Sequence, residues 1–123
     1  MTRHVRQKLG DLGEQAVAGF LRQRGYRIVA ANHRCRRGEV DLIAERGELL
    51  VFVEVRTRAT AAFGAPEETV GFRKRRRVVA AARDYLARRR GSERGARFDV
   101  VAVVDSPAGP RLTHFENAFD AEG

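Results

Sequence analysis

Asp41, Glu54 and Arg56 stand within residues 38–58, GEVDLIAERGELLVFVEVRTR, at a spacing that a purely structural hairpin does not require. Residues 40–44 and 49–55 are rich in β-branched and apolar side chains, which suit a pleated, buried surface. Gly47 marks a turn between them. With a loop of Gly47-Glu48, or of the four residues 46–49, opposed positions sum to 95 and Asp41 faces Glu54. Arg56, two residues after Glu54, projects on the same face. A loop of odd length makes the two acids diagonal neighbours instead.

Two carboxylates held close on strands repel one another, and burial raises the cost; a proton, a basic neighbour or a cation relieves it. Oxygen-only ligands favour a hard ion, Mg²⁺ or Mn²⁺, with the other positions filled by water and phosphate oxygens. Asp41 and Glu54 therefore suit metal-assisted phosphodiester hydrolysis, in which the ion acidifies water and neutralises developing charge. Arg56 is placed to hold the scissile phosphate. The plain alternative is a salt bridge from Glu54 to Arg56 or Arg58. A cross-strand acid pair without a cation is destabilising, which puts the site ahead.

The chain has 123 residues, enough for one core, and a formal charge of +8. That charge attracts polyanions, nucleic acid first. It is carried almost entirely by arginine, with lysine only at Lys8 and Lys74. No apolar run is long enough to span a bilayer and the N-terminus has no hydrophobic signal region, so a soluble, cytoplasmic protein is expected. The lone Cys35 excludes an intramolecular disulfide and a multi-cysteine metal site.

The elements that must position these residues follow from periodicity. Residues 1–10 form a flexible basic N-terminus, 11–119 one domain and 120–123 a tail. A first helix begins at Asp11, presents Leu12, Ala16, Val17, Phe20 and Leu21 on one face, and stops at Gly25. Asp11 and Glu14 have capping-box spacing, the plain account of Glu14. A strand over 26–32 and a basic connection over 33–38 precede the hairpin. Continuous apolarity over 49–53 predicts a central strand covered on both faces. After a loop over 59–66, a second helix runs from about 67 to 90, with Phe72, Arg75, Val79, Ala82 and Leu86 as its stripe. Glu67 and Glu68 favour its start, and Gly91 ends it. A buried strand over 98–104 and a last strand or irregular edge over 112–119 complete an α/β order of α-β-β-β-α-β with a short C-terminal piece.

Gly13-Glu14, the runs 38–43 (GEVDLI), 52–58 (FVEVRTR) and 97–101 (RFDVV), Lys74 and Asn117-Ala118-Phe119 together resemble the YraN family of small bacterial proteins. That family is similar to the PD-(D/E)xK nuclease superfamily and, within it, to Holliday-junction resolvases. The resemblance runs from about Gly13 to Phe119. It implies a restriction-endonuclease-like fold, with a mixed sheet between helices, and a Mg²⁺-dependent nuclease acting on DNA, with branched or junction DNA among the candidate substrates. Asp41 would be the first metal-binding acid, Glu54 the second, and Glu14 an additional acid from the first helix. Arg56 would occupy the place of the motif's lysine, and Lys74 would face the phosphate from the second helix. Resolvase-like relatives act as dimers, which leaves a homodimer open. Arginine cannot relay a proton as a perturbed lysine can, although it clamps phosphate in a fork.

Arg34, Arg36, Arg37, Arg58, Arg73, Arg75, Arg76 and Arg77 flank the site in sequence, and on one face they would bind backbone phosphates without reading sequence. DNA stands ahead of RNA as the partner. The rival reading is a non-catalytic nucleic-acid-binding module on the same fold, for DNA or RNA. Glu39 and Asp99 are read as acids that support the site residues from behind, or as salt-bridge partners or strand-end residues. His4, His33 and His114 lack metal-ligand spacing and are read as solvated or hydrogen-bonded.

Overall fold

The structure is a computed structural model that describes residues 12–58, 71–89 and 95–121. The expectations for the basic N-terminus, the Asp11 cap, the 59–66 loop, Glu67, Glu68 and Gly91 lie outside the described residues. The elements are α1 (Leu12–Gln23), β1 (Arg27–Cys35), β2 (Gly38–Arg46), β3 (Leu49–Arg58), α2 (Phe72–Arg88), β4 (Gly95–Val104) and β5 (Arg111–Phe119). This is the expected α/β order, except that the C-terminal piece is a full strand rather than a short one. No helix among the described residues is long and apolar enough to cross a membrane.

α1 buries Val17, Ala18 and Leu21, three positions that fall on one helical face. It stops where Gly25 takes φ +88°. The Gly25 N–H donates to the Arg22 carbonyl at 3.1 Å and the Tyr26 N–H to that of Leu21 at 3.0 Å, the two bonds of a Schellman end. Tyr26 then joins Leu21 in the core.

The five strands lie in the order β1-β2-β3-β4-β5, antiparallel except for the parallel β3–β4 pair that α2 connects. The basic connection expected over 33–38 is instead most of a tight hairpin. β1 runs on to Cys35, which pairs with Gly38, so only Arg36 and Arg37 form the turn. Two arginines carry no turn signal, and the alternation of His33, Arg34 and Cys35 is hidden by charge. The β2–β3 hairpin has the expected register: Arg46 pairs with Leu49 and Leu42 with Val53, around a two-residue Gly47-Glu48 loop. Gly47 has φ +60°, the left-handed geometry that such a loop needs at its first position.

Each sheet face carries its own core. On the α1 side Val17 and Leu21 pack with Leu42, Val51, Val53 and Val101. On the α2 side Val78 and Ala82 pack with Ile43, Leu50, Phe52 and Phe98. β3 contributes alternate residues to both, which is why 49–53 is continuously apolar.

The predicted stripe of α2 is met at Val79 and Ala82, which are buried, and at Leu86, which packs against the core, but not at Phe72. The buried residues of α2 are Val78, Val79, Ala81 and Ala82, whereas Phe72 is 51 % exposed. The phase is set by a backbone approach at Gly38. A Cβ built there would lie 1.9 Å from the carbonyl oxygen of Arg77. Only glycine lets α2 rest this close to the start of β2, and with Arg77 fixed, Val78 turns to the sheet and Lys74, one helical turn earlier, turns with it. A second tie joins His33 of β1 to Asp84 of α2 at 2.9 Å.

Gly38→Ala should therefore cost at least about 2 kcal/mol, the upper range of overpacking, and lower the denaturation midpoint. Gly19→Ala, in α1 with nothing within 4 Å of the new methyl group, should be neutral or stabilising by about 0.5–1 kcal/mol. Urea unfolding of both variants checks the pair, and equal effects would contradict the close-approach account.

Candidate functional site

The β2–β3 ladder ends at Leu42 and Val53, and the next facing residues are Asp41 and Glu54. A carboxylate replaces the next main-chain acceptor: Asp41 Oδ2 accepts the Val55 N–H at 2.8 Å. Glu54 is 1 % exposed. Its Oε2 lies 3.3 Å from Lys74 Nζ, while its Oε1 is buried with no hydrogen-bond partner among the described residues. Lys74 remains one-third exposed, so its ammonium faces both the buried carboxylate and solvent.

The electrostatics follow from this geometry. Burial, and then the charge of Asp41, push the Glu54 carboxyl up to about 8, against the opposing pull of Lys74. Burial also raises Asp41, although the Val55 N–H and the Lys74 charge act the other way. The corner thus lacks positive charge for two ionised carboxylates: near neutral pH it holds a proton, which a divalent cation could replace. The unpaired Glu54 Oε1 and the two hard oxygen donors fit Mg²⁺, which is bound by one or two carboxylates with water and phosphate completing the shell. Asp41 and Glu54 are the residues that could hold it.

The other predicted residues are placed around this corner in different ways. Arg56 is half-buried, two residues beyond Glu54 on the same face of β3, and takes part in no ion pair among the described residues. Glu14 is buried on α1, and its Oε1 accepts from Asn32 Nδ2 at 3.0 Å. Asn32 lies between the Ala31–Leu42 and His33–Val40 partners and so stands across from Asp41. Glu14 is thus tied to Asn32, on the strand beside the one that carries Asp41. Among the described residues no three His, Cys, Asp or Glu side chains gather closely enough to hold one ion. Glu39 is taken by Arg34 at 2.9 Å, which also removes Arg34 from the free cations. Arg36, Arg37, Arg73, Arg76 and Arg77 are exposed, whereas the side chain of Arg58 lies outside the described residues.

Asp99 is a structural acid. Arg97 grips it with two hydrogen bonds of 2.8 Å, His114 Nε2 lies 2.6 Å from Oδ2, and the Asn117 N–H donates at 2.9 Å. Burial pushes its pKa up, but these bonds, His114 first, outweigh burial and hold it below the ordinary value. Arg97 also donates to the Tyr26 hydroxyl at 2.6 Å, so the network fastens β4 and β5 to the end of α1. His33, bonded to Asp84, and His114 are both hydrogen-bonded, one of the two alternatives expected of them. Two features escaped sequence reading. Asn32 adopts φ +51°, and nothing in its neighbours announces it. The inward phase of Lys74 was signalled by Val78 and Ala81, four and seven residues on.

Residues 13–103 match the model of Uncharacterised protein family UPF0102. The chain belongs to that family. A UPF0102 protein of Anaeromyxobacter dehalogenans is 56 % identical over 118 residues, covering 96 % of this chain and 88 % of that protein. One of Geobacter sulfurreducens is 45 % identical, covering 95 % and 92 %, and one of Myxococcus xanthus is 45 % identical, covering 94 % and 92 %. The family identity agrees with the resemblance to YraN proteins, and the UPF0102 match encloses Glu14, Asp41, Glu54, Arg56 and Lys74.

The raised pKa of Glu54 has a stability consequence in metal-free buffer. The unfolded chain loses this proton near 4.5 and the folded chain near 8. The proton-linked stability is thus complete below the lower value and is lost as pH rises through the upper one. Asp99, held below 3.8, acts only at the acid end. In EDTA the melting temperature should fall between pH 5 and 8.5, by an amount on the order of a few kcal/mol of stability. Glu54→Gln should flatten that slope. A wild-type profile flat over the range would contradict the paired-acid electrostatics.

Proposed function

We propose that this protein is a divalent-metal-dependent nuclease that hydrolyses phosphodiester bonds in nucleic acid, with DNA as the leading substrate. The observation that carries the reading is the buried corner in which Asp41 and Glu54 leave the ladder together beneath Lys74. Two hard carboxylates short of positive charge suit Mg²⁺ or Mn²⁺, and beside them a cationic side chain remains partly open to solvent. The family resemblance to PD-(D/E)xK nucleases points the same way.

When bound, the ion would polarise the phosphate and lower the pKa of water at the site. Asp41 is held rigid by the Val55 N–H and Glu54 by its burial, so neither donor has to be ordered when substrate arrives. Lys74 offers an ammonium to the phosphate from α2, which gives it the charge-stabilising role that the motif assigns to a lysine two residues after the second acid. Arg56, in that motif position, acts as a clamp on a neighbouring phosphate oxygen. Water is the attacking group: it adds to phosphorus, the ester P–O bond breaks, and the leaving oxygen takes up a proton.

The site calls for a comparison of four variants on branched and linear DNA with Mg²⁺. Asp41→Asn and Glu54→Gln should each lower cleavage at least about a hundredfold and keep binding in EDTA. Lys74→Met should fall further than Arg56→Met, since Lys74 touches Glu54 and Arg56 does not. Wild-type protein that binds DNA and cuts no substrate would favour the non-catalytic binding module, which Arg56 in the lysine position supports. Cleavage unchanged in both acid variants would remove the site.

A further inference from the structure

One face of α2 is left unexplained by the metal corner. A groove of about 790 Å³ runs along it, lined by Arg37, Phe72, Arg73, Arg76, Arg77 and Arg83 around an apolar floor that includes Val79 and Ala80. Among the described residues no acidic side chain lines it. None of these arginines takes part in an ion pair among the described residues. The Nε of Arg75, also in the lining, is buried without a hydrogen-bond partner among the described residues. So many guanidinium groups without an acidic partner among the described residues call for an occupant carrying several negative charges.

Phe72 narrows the class of occupant. It is 51 % exposed at the head of the groove, and the guanidinium of Arg76 sits 5.5 Å from its ring centroid. A large aromatic left half in water, within a basic track, offers a flat surface for a second π-system. Bases inside a duplex are already stacked, whereas an unpaired base has a free face. Phe72 to Arg83 spans eleven residues, about 16 Å along the helix, room for a short single-stranded run.

We propose that this groove is a binding track for single-stranded nucleic acid, with an unpaired base stacked on Phe72 and backbone phosphates passing Arg73, Arg76, Arg77 and Arg37. The proposal rests on the nucleic-acid reading above and not on cleavage. The substrate class it implies contains an unpaired segment, as at a flap, fork or junction.

Phe72→Ala and Phe72→Trp test it in EDTA, with oligo(dT), a blunt duplex and heparin as probes. Because the side chain is half in water, melting temperatures should stay near wild type. Phe72→Ala should weaken oligo(dT) binding by about 5- to 150-fold, the worth of one stacked base, and leave duplex and heparin unchanged. The chain has no tryptophan, so Phe72→Trp introduces a sole reporter, whose emission oligo(dT) should quench and heparin should not. Arg76→Met with Arg77→Met should reduce the salt slope of oligo(dT) binding by about 0.7 for each phosphate no longer neutralised. Unchanged oligo(dT) affinity in Phe72→Ala, or equal losses on all three probes, would overturn the stacking track. Since every readout is metal-free, the track stands or falls independently of whether Asp41 and Glu54 support cleavage.

Discussion

Asp41 and Glu54 emerge from the end of a hydrogen-bonded ladder into the same buried corner, and their mutual repulsion is the constraint around which the surrounding structure is arranged. One acid is tied to a main-chain N–H and the other is covered by a lysine from a different element. Neither tie supplies enough positive charge for two ionised carboxylates in a low-dielectric setting. Purely structural requirements would be met at lower cost by an apolar pair at this point of the sheet. Two acids here, with Glu54 Oε1 unpartnered among the described residues, are the physical reason the corner is proposed as a place for a cation.

The fold delivers Lys74 to that corner through a chain of packing steps. Gly38 lets the α2 backbone approach β2, the approach fixes the helix phase, and the phase turns Lys74 inward with Val78 and Ala81 while Phe72 and Arg76 turn outward. The same rotation thus places a cation over Glu54 and an arginine-lined groove on the outer flank. On the opposite face, Arg97, Asp99 and His114 lock the sheet to the end of α1 without contributing to the corner. Each sheet face has its own polar feature: a satisfied network under α1 and an under-compensated acid pair under α2.

The sequence made the acid-bearing hairpin legible because its signals are local. Gly47 and an even loop length determine the register, and period-two alternation does the rest. The family resemblance gained its physical content in the same way, since the acids of GEVDLI and FVEVRTR meet in three dimensions as the spacing requires. Three features were less legible. Arg36 and Arg37 disguise a tight turn as a basic loop. Phe72 was read with Val79, Ala82 and Leu86 as one stripe, and it alone of these four is left exposed, on a helix whose approach to the sheet at Gly38 is invisible to periodicity. Asp99 and His114 are fifteen residues apart and meet only because β4 and β5 pair, a non-local fact. Lys74 lay between these cases: its lysine identity among arginines drew attention to it, but its pairing with Glu54 depended on a helix phase set elsewhere.

On the proposed function, the Asp41–Glu54 corner exchanges a proton for a divalent cation. Calorimetric titration of Mn²⁺ near pH 7, in buffers of differing ionisation enthalpy, measures both the stoichiometry and the protons released. The wild type should bind with release of close to one proton per ion, and Glu54→Gln should lose that release and bind much more weakly. Absence of Mn²⁺ binding by the folded wild type, or binding of the same strength and proton count in Glu54→Gln, would contradict the exchange.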